Sequence, residues 1–186
     1  MENNNDPKWH PRKLDVRAFS RDGGTLSGEA PLAQWERLAA ESEVGLASPP
    51  VKWQARGATV TEVGVKDQVW LHLEVHAALP LLCQRCLSPV LTPVDVDRSF
   101  RFVSDEATAL ALDDEEEEDL LVISREFNVI ELVEDEVILA MPLVPLHAAC
   151  PEPLQMSAQS PKFDQEDEKR PNPFAALAGL KLKKFN

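Results

Sequence analysis

Between residues 51 and 103, apolar side chains return at every second position in three separate runs. The first holds Val51, Trp53 and Ala55. The second holds Val69, Leu71, Leu73 and Val75. The third holds Val90, Val94 and Val96, continuing to Phe100 and Phe102. Successive side chains on a strand point to opposite faces, so this period places one apolar face against a core and one polar face in water. Gly57, Gly64 and Pro80 punctuate the runs. Three such strands joined by short turns predict an antiparallel meander. The tetrapeptide Cys-Gln-Arg-Cys at 83–86 falls in the connection between the second and third strands.

The flanks add helices. Leu14, Val16 and Ala18 alternate with polar residues and predict a short strand. Arg21-Asp22-Gly23-Gly24 is a turn signal, and residues 25–29 suit a returning strand. Pro31 can open a helix that puts Leu32, Trp35, Leu38 and Ala39 on one face, with Glu36 and Arg37 off it. Residues 120–127 (LLVISREF) have strand character. Asn128 then caps a helix, with Glu131 completing a capping-box pattern. Its apolar stripe is Ile130, Val133, Val137, Ile138 and Met141, and Pro142 and Pro145 stop it. Adjacent helical residues point roughly 100° apart, so Glu134, Asp135 and Glu136 cannot converge on one site and are read as a solvated face. The expected fold is α+β: an antiparallel β-meander or partly closed small barrel, packed with two to three helices.

The 186 residues contain 44% hydrophobic but only 6% aromatic residues, so the core must be aliphatic. Residues 1–11 are expected to be a flexible N-terminus and 12–147 the core domain, in which 104–119 is an acidic mobile loop. Residues 148–170 are read as an irregular linker and 171–186 as a C-terminal docking segment. The net charge is -13. Asp105, Glu106 and the run from Asp113 to Asp119 account for most of it, with no basic residue among those acids. What remains is mildly acidic, so composition alone predicts no direct grip on a phosphate backbone. The tail differs. Phe174, Leu177, Ala178 and Lys181 share one side of a short helix that would need a surface to dock on, and Lys183 and Lys184 follow. Pro171, Asn172, Pro173, Phe174, Leu177, Lys181, Lys183 and Lys184 are the expected partner-binding residues. No stretch has the roughly 18 uninterrupted apolar residues of a membrane span, and no apolar N-terminal signal is seen. A cytoplasmic location is expected.

Cys83 and Cys86 are the first chemical candidates. Two thiolates two residues apart can hold one tetrahedral zinc, and His147 with Cys150 would complete a Cys3His set. Reduced structural thiols in a β-turn are an equal reading. A thioredoxin-like redox pair is a weaker one, since no helix follows the pair to stabilise a thiolate. His10 stands alone. The alternation places His72 and His76 on the outer face of a strand without evident partners. No nucleophile elbow, P-loop or dinucleotide fingerprint is present, so no enzyme activity is expected. The acidic run reads either as a solubilising loop or as a lure for a basic partner.

Three ordered landmarks carry a resemblance: LLCQRC at 81–86, VEDEVILAMPLVPLH at 133–147 and PNPFAALAGLK at 171–181. Together the chain resembles the bacterial YceD family over about residues 12–183, including GTLSGEAPL at the predicted first helix. The resemblance implies a factor needed for large-subunit ribosomal RNA to accumulate. Its expected partners are a pre-ribosomal particle, a ribosomal protein or rRNA, with no reaction, small-molecule substrate or membrane. Two mechanisms follow as expectations. One is a rigid scaffold whose acidic and C-terminal segments engage the partner. The other is a zinc-stabilised RNA-binding module, with Arg85 inside the metal turn as its phosphate contact. An RNA-processing hydrolase is a third reading, for which no carboxylate cluster can be assembled.

Overall fold

The computed structural model describes residues 8–43, 46–61, 67–112 and 118–151. The period-two runs form the sheet. Strand β1 is Thr25–Ala30, β2 is Val51–Val60, β3 is Gln68–Leu82 and β4 is Pro89–Val103, each antiparallel to the next. A fifth strand, β5 (Asp119–Val122), lies parallel to β4, with Phe100 opposite Asp119. The spatial order is β1-β2-β3-β4-β5. The sheet is therefore mixed and open, which corrects both the purely antiparallel meander and the partly closed barrel. The reason is the connection after β4. A parallel neighbour needs a crossover of a dozen or more residues, and the acidic stretch supplies it.

That stretch carries a helix of its own, α3 (Glu106–Leu112). Asp105 accepts hydrogen bonds from the Thr108 backbone N–H and hydroxyl, both at 2.9 Å, and so satisfies free groups of the first turn. Residues 113–117 lie outside the described set, as do 1–7 and 152–186, which include the expected docking segment.

Three further helices cover the apolar face. Residues 14–18 are not a strand: α1 is Val16–Arg21, with Asp15 capping the Ala18 N–H at 3.0 Å. The buried set is Leu14, Val16 and Phe19. It mixes a bridge residue, Leu14 against Phe127, with an i,i+3 helical pair, and so imitates alternation. Gly57 lets α1 lie on β2, because a Cβ there would sit 2.8 Å from Ser20 Cα. The helix expected after Pro31 is split into a 3-10 turn, Leu32–Gln34, and α2, Glu36–Ala40. Trp35, at the break, is held by its indole N–H on Ala30 O at 3.3 Å.

The strand expected over 120–127 ends at Val122, and the chain then runs beside the start of α1. Leu14 and Phe127 exchange two backbone hydrogen bonds of 2.9 Å. Helix α4 is Val129–Ala140, and Asn128 accepts from Ile130 N at 3.1 Å and Glu131 N at 3.4 Å, as its cap position predicts. Val129, Val133 and Val137 are buried on the core that contains Leu71, Leu73, Val75 and Phe100. Such aliphatic burial, at about 25 cal/mol per Å², is the main force holding helix to sheet.

The acids of α4 are not a solvated face. Glu134 and Glu136 are only 9% and 7% exposed. Glu134 Oε1 accepts from Arg37 N at 2.7 Å and Leu38 N at 3.1 Å, capping the start of α2 from another element. The Arg37 guanidinium spans the angle between neighbouring acids, donating to Glu134 Oε2 at 3.2 Å and Asp135 Oδ1 at 2.6 Å. A helix of five residues cannot pair its own first N–H groups, so it takes a carboxylate from α4.

Candidate metal centre

Cys83 follows the last residue of β3. Its N–H donates to Ser88 O at 3.0 Å and its carbonyl accepts from Leu87 N at 2.9 Å, so residues 83–88 close a tight turn. Leu87 completes the turn at φ 56°, in the left-handed region where a side chain costs roughly 1–2 kcal/mol.

The turn meets the segment after α4. Pro142 and Pro145 bar further helix, and Gln84 N–H donates to Pro145 O at 2.9 Å. His147 is thereby carried to the cysteines. Its backbone N–H points at Cys83 Sγ at 3.5 Å, and its Nδ1 lies 3.3 Å from Cys86 Sγ. The other ring nitrogen, Nε2, lies 3.1 Å from Pro89 O. A carbonyl can only accept, so Nε2 carries the proton and Nδ1 presents its lone pair to the sulfurs. This is the tautomer a metal-binding histidine needs, with the second nitrogen held by an outer partner.

Cys150 lies three residues beyond His147. The donor atoms of Cys83, Cys86, His147 and Cys150 all fall within 4.8 Å of one another, the one such group among the described residues. Zinc–sulfur bonds of about 2.3 Å and zinc–nitrogen bonds of about 2.0–2.1 Å place tetrahedral ligands about 3.5–4 Å apart. The four predicted residues are thus brought together, and as a Cys3His set they are compatible with zinc. All three cysteines are free thiols, with Cys83 buried and the other two half-buried.

The surroundings favour thiolate at Cys83. Burial by itself would raise its pKa. Hydrogen bonds from the backbone N–H groups of Cys86, His147 and Arg85 oppose burial, and the balance lowers it to about 5. Sulfur that accepts several N–H donors is prepared to bind a cation. No helix follows the pair; Arg85 is exposed and β4 begins at Pro89.

The other histidines have partners, which corrects the reading of His72 and His76 as isolated. Register sets His72 opposite Ser99 and His76 opposite Asp95. His72 bonds Ser99 Oγ at 3.1 Å and Glu74 at 3.2 Å; His76 bonds Asp95 at 2.7 Å. They belong to the polar outer face of the sheet. His10 Nδ1 accepts from Arg12 N at 3.2 Å. The expected partner-binding residues from Pro171 to Lys184 lie outside the described residues.

Glu134, expected on a solvated face, is instead a buried structural carboxylate. A signal was present: it lies four residues after Ile130 and three before Val137, on the core-facing stripe rather than off it.

An open mixed sheet with helices on one face and a four-donor knuckle at one end defines an α+β protein with a candidate Cys3His centre. The chain matches the family described as "Large ribosomal RNA subunit accumulation protein YceD" over residues 71–181. It is also 39% identical over 116 residues to the "Large ribosomal RNA subunit accumulation protein YceD" of Haemophilus influenzae (strain ATCC 51907 / DSM 11121 / KW20 / Rd). That alignment covers 59% of this chain and 64% of the relative, so under two thirds of the relative's length is matched. No solved structure matches. The chain belongs to the YceD family. The matched region contains all four metal-centre positions, together with α4 that carries the last two to the turn.

Proposed function

We propose that this chain supports the accumulation of large-subunit ribosomal RNA by binding, without catalysis, and that its Cys3His centre holds zinc. The observation that carries the first part is family membership over most of the sheet's second half, α4 and the tail. The second part is supported by His147 Nδ1 lying 3.3 Å from Cys86 Sγ, in a group of four donor atoms within 4.8 Å of one another. The partner is a precursor of the large subunit, met as rRNA or as a ribosomal protein. The protein works where ribosomes are assembled, in the cytoplasm. No described helix is long and apolar enough to cross a membrane.

In this reading zinc is a fastener. Bound to Cys83, Cys86, His147 Nδ1 and Cys150, it would fix the proline-rich segment after α4 to the end of the β3–β4 hairpin. Residues 171–186 then provide the contact with the particle, through Phe174, Leu177 and the lysines. Deleting 171–186 is expected to abolish co-sedimentation with pre-ribosomal particles in a sucrose gradient while leaving the fold intact. Unchanged co-sedimentation rejects the tail as the contact.

A second reading is favoured by the exposure of Arg85 inside the knuckle. There the zinc turn itself meets RNA, and Arg85→Gln rather than tail deletion removes particle association.

A further inference from the structure

Two open clefts run together on the helix-covered side of the sheet. One, of about 450 Å³, lies between α2 and α4. The other, of about 290 Å³, lies between residues 10–12 and the end of β1. Arg12, Gln34, Trp35 and Ile130 line both, so the two form one trough.

Its walls are acidic. Glu36 and Glu131 are exposed at the first cleft, and Glu29 at the second. Glu134 and Asp135 also line the first, but Arg37 already pairs with both. Glu36 and Glu131 make no ion pair or side-chain hydrogen bond among the described residues. Glu29 meets Lys52 at 4.0 Å, an exposed pair that holds neither side chain firmly. Beyond Arg37, the one arginine or lysine on the lining is Arg12. The trough is therefore negative where it is open to a partner.

The floor holds a donor with no acceptor. Trp53 is 7% exposed and lies against Gly28, where a Cβ would come within 3.0 Å of Trp53 Nε1. The indole N–H of Trp35 donates to Ala30 O, and that of Trp70 to Gln68 Oε1. The Trp53 N–H reaches no acceptor among the described residues. No fully buried side-chain nitrogen or oxygen among them is left unpaired, so this N–H opens into the cleft that Trp53 and Gly28 line. A buried indole N–H normally finds a partner, and here one can come only through the cleft.

One ligand meets both demands. A peptide carbonyl supplies the acceptor, and a lysine or arginine supplies the cation, its methylene stem lying on Trp35 and Ile130. A nucleic acid fits less well: its phosphates could accept from the indole but would face Glu29, Glu36 and Glu131. Strand β1 ends the sheet on this side, and sheet edges take extended segments.

We propose that this trough binds an extended, lysine- or arginine-rich segment of another protein, with its cations at Glu36 and Glu131 and a main-chain carbonyl on Trp53 Nε1. This rests on the reading of the chain as a ribosome-biogenesis factor and makes the direct partner a basic protein.

The test is binding of the full chain to a fluorescently labelled lysine–alanine repeat peptide with blocked ends, followed by polarisation across a salt series. A glutamate–alanine repeat is the control peptide. Wild type should bind the first and not the second. Glu36→Gln with Glu131→Gln should weaken binding about tenfold and flatten its salt dependence, as loss of two ion pairs predicts. Trp53→Phe should weaken it about fivefold with the salt dependence unchanged, as loss of one neutral hydrogen bond predicts. Asp95→Asn with Asp97→Asn removes two exposed acids from the outer sheet face and should stay within about twofold. Circular dichroism checks each fold, and the exposed Glu36 and Glu131 keep the test decisive if Trp53→Phe does not fold.

Equal affinity of wild type and the double glutamate variant overturns the proposal, as does absence of wild-type binding. Binding that appears only after 171–186 is deleted assigns the trough to the chain's own lysines and overturns it. So does a Trp53→Phe variant that loses affinity for an in vitro rRNA transcript but not for the peptide. No particle is present in these arms. If they fail while the full chain still co-sediments with pre-ribosomal particles, the ribosome reading stands and the trough assignment falls.

Discussion

His147 Nδ1 stands 3.3 Å from Cys86 Sγ although 61 residues separate the two in sequence. Nothing local brings them together. The contact is made by a short chain of backbone choices: prolines that end α4, the Gln84–Pro145 hydrogen bond, and a Pro89 carbonyl that holds the far side of the imidazole.

Metal removal should loosen this end of the sheet. Protein purified without chelator is expected to carry about one zinc per chain by elemental analysis, on the four-ligand expectation. His147→Ala and Cys86→Ser should each bring that below about a tenth. At free zinc 100 times its dissociation constant the ion adds about 2.7 kcal/mol to stability, about 5–10 °C in Tm for a chain of this size. Chelation of wild type should lower Tm by that amount, while the two variants should not respond.

The metal-free protein should show the Cys83 thiolate in its pH dependence. The folded value of about 5 lies below the ordinary value of 9.0, so between them the unfolded chain binds more protons. Stability from this group is full above about 9, and is lost as pH falls through about 5. Metal-free wild type should therefore gain Tm between pH 5 and 8 relative to Cys83→Ser. Parallel curves for the two proteins would show that the N–H groups around the sulfur do not stabilise its charge.

Glu134 should be worth more than any exposed acid of α4. Glu134→Ala removes the acceptor for Arg37 N and Leu38 N and strands two donors. The expected loss is about 2–4 kcal/mol by denaturant titration, from charge-assisted bonds to a buried carboxylate. Glu134→Gln keeps one oxygen and should lose about half as much. Glu131→Ala, on the exposed side, should fall within about 0.5 kcal/mol.

Leu87 offers the opposite sign. It is 69% exposed and sits at φ 56°, so it contributes little packing and carries backbone strain. Leu87→Gly should stabilise the zinc-bound protein by about 1 kcal/mol, the cost of a side chain in that region. A loss of stability would mean that the leucine packs on something it needs.

Much of this fold was legible as periodicity. The meander of β2, β3 and β4 follows from apolar residues at every second position, and the cap of α4 from Asn128. The parallel strand β5 was not legible, because four residues show strand character but not direction. Direction came from the crossover through α3, inside a stretch whose charge suggested only a loop. Leu14 and Val16 misled, since a bridge followed by a helix start has the same spacing as a strand. The four metal-centre residues could be picked out by spacing, but their proximity depended on Gln84 meeting Pro145. Glu134 was hidden by its neighbours: three acids in a row look solvated, and only the free N–H groups of α2 explain why one of them is buried.

Loss of the protein is expected to lower large-subunit rRNA in the cell. The direct measurement is the ratio of large- to small-subunit rRNA in cells whose chromosomal copy is deleted, with and without the full chain supplied from a plasmid. The ratio should fall on deletion and return with the wild-type chain. A ratio unchanged by deletion would contradict the account.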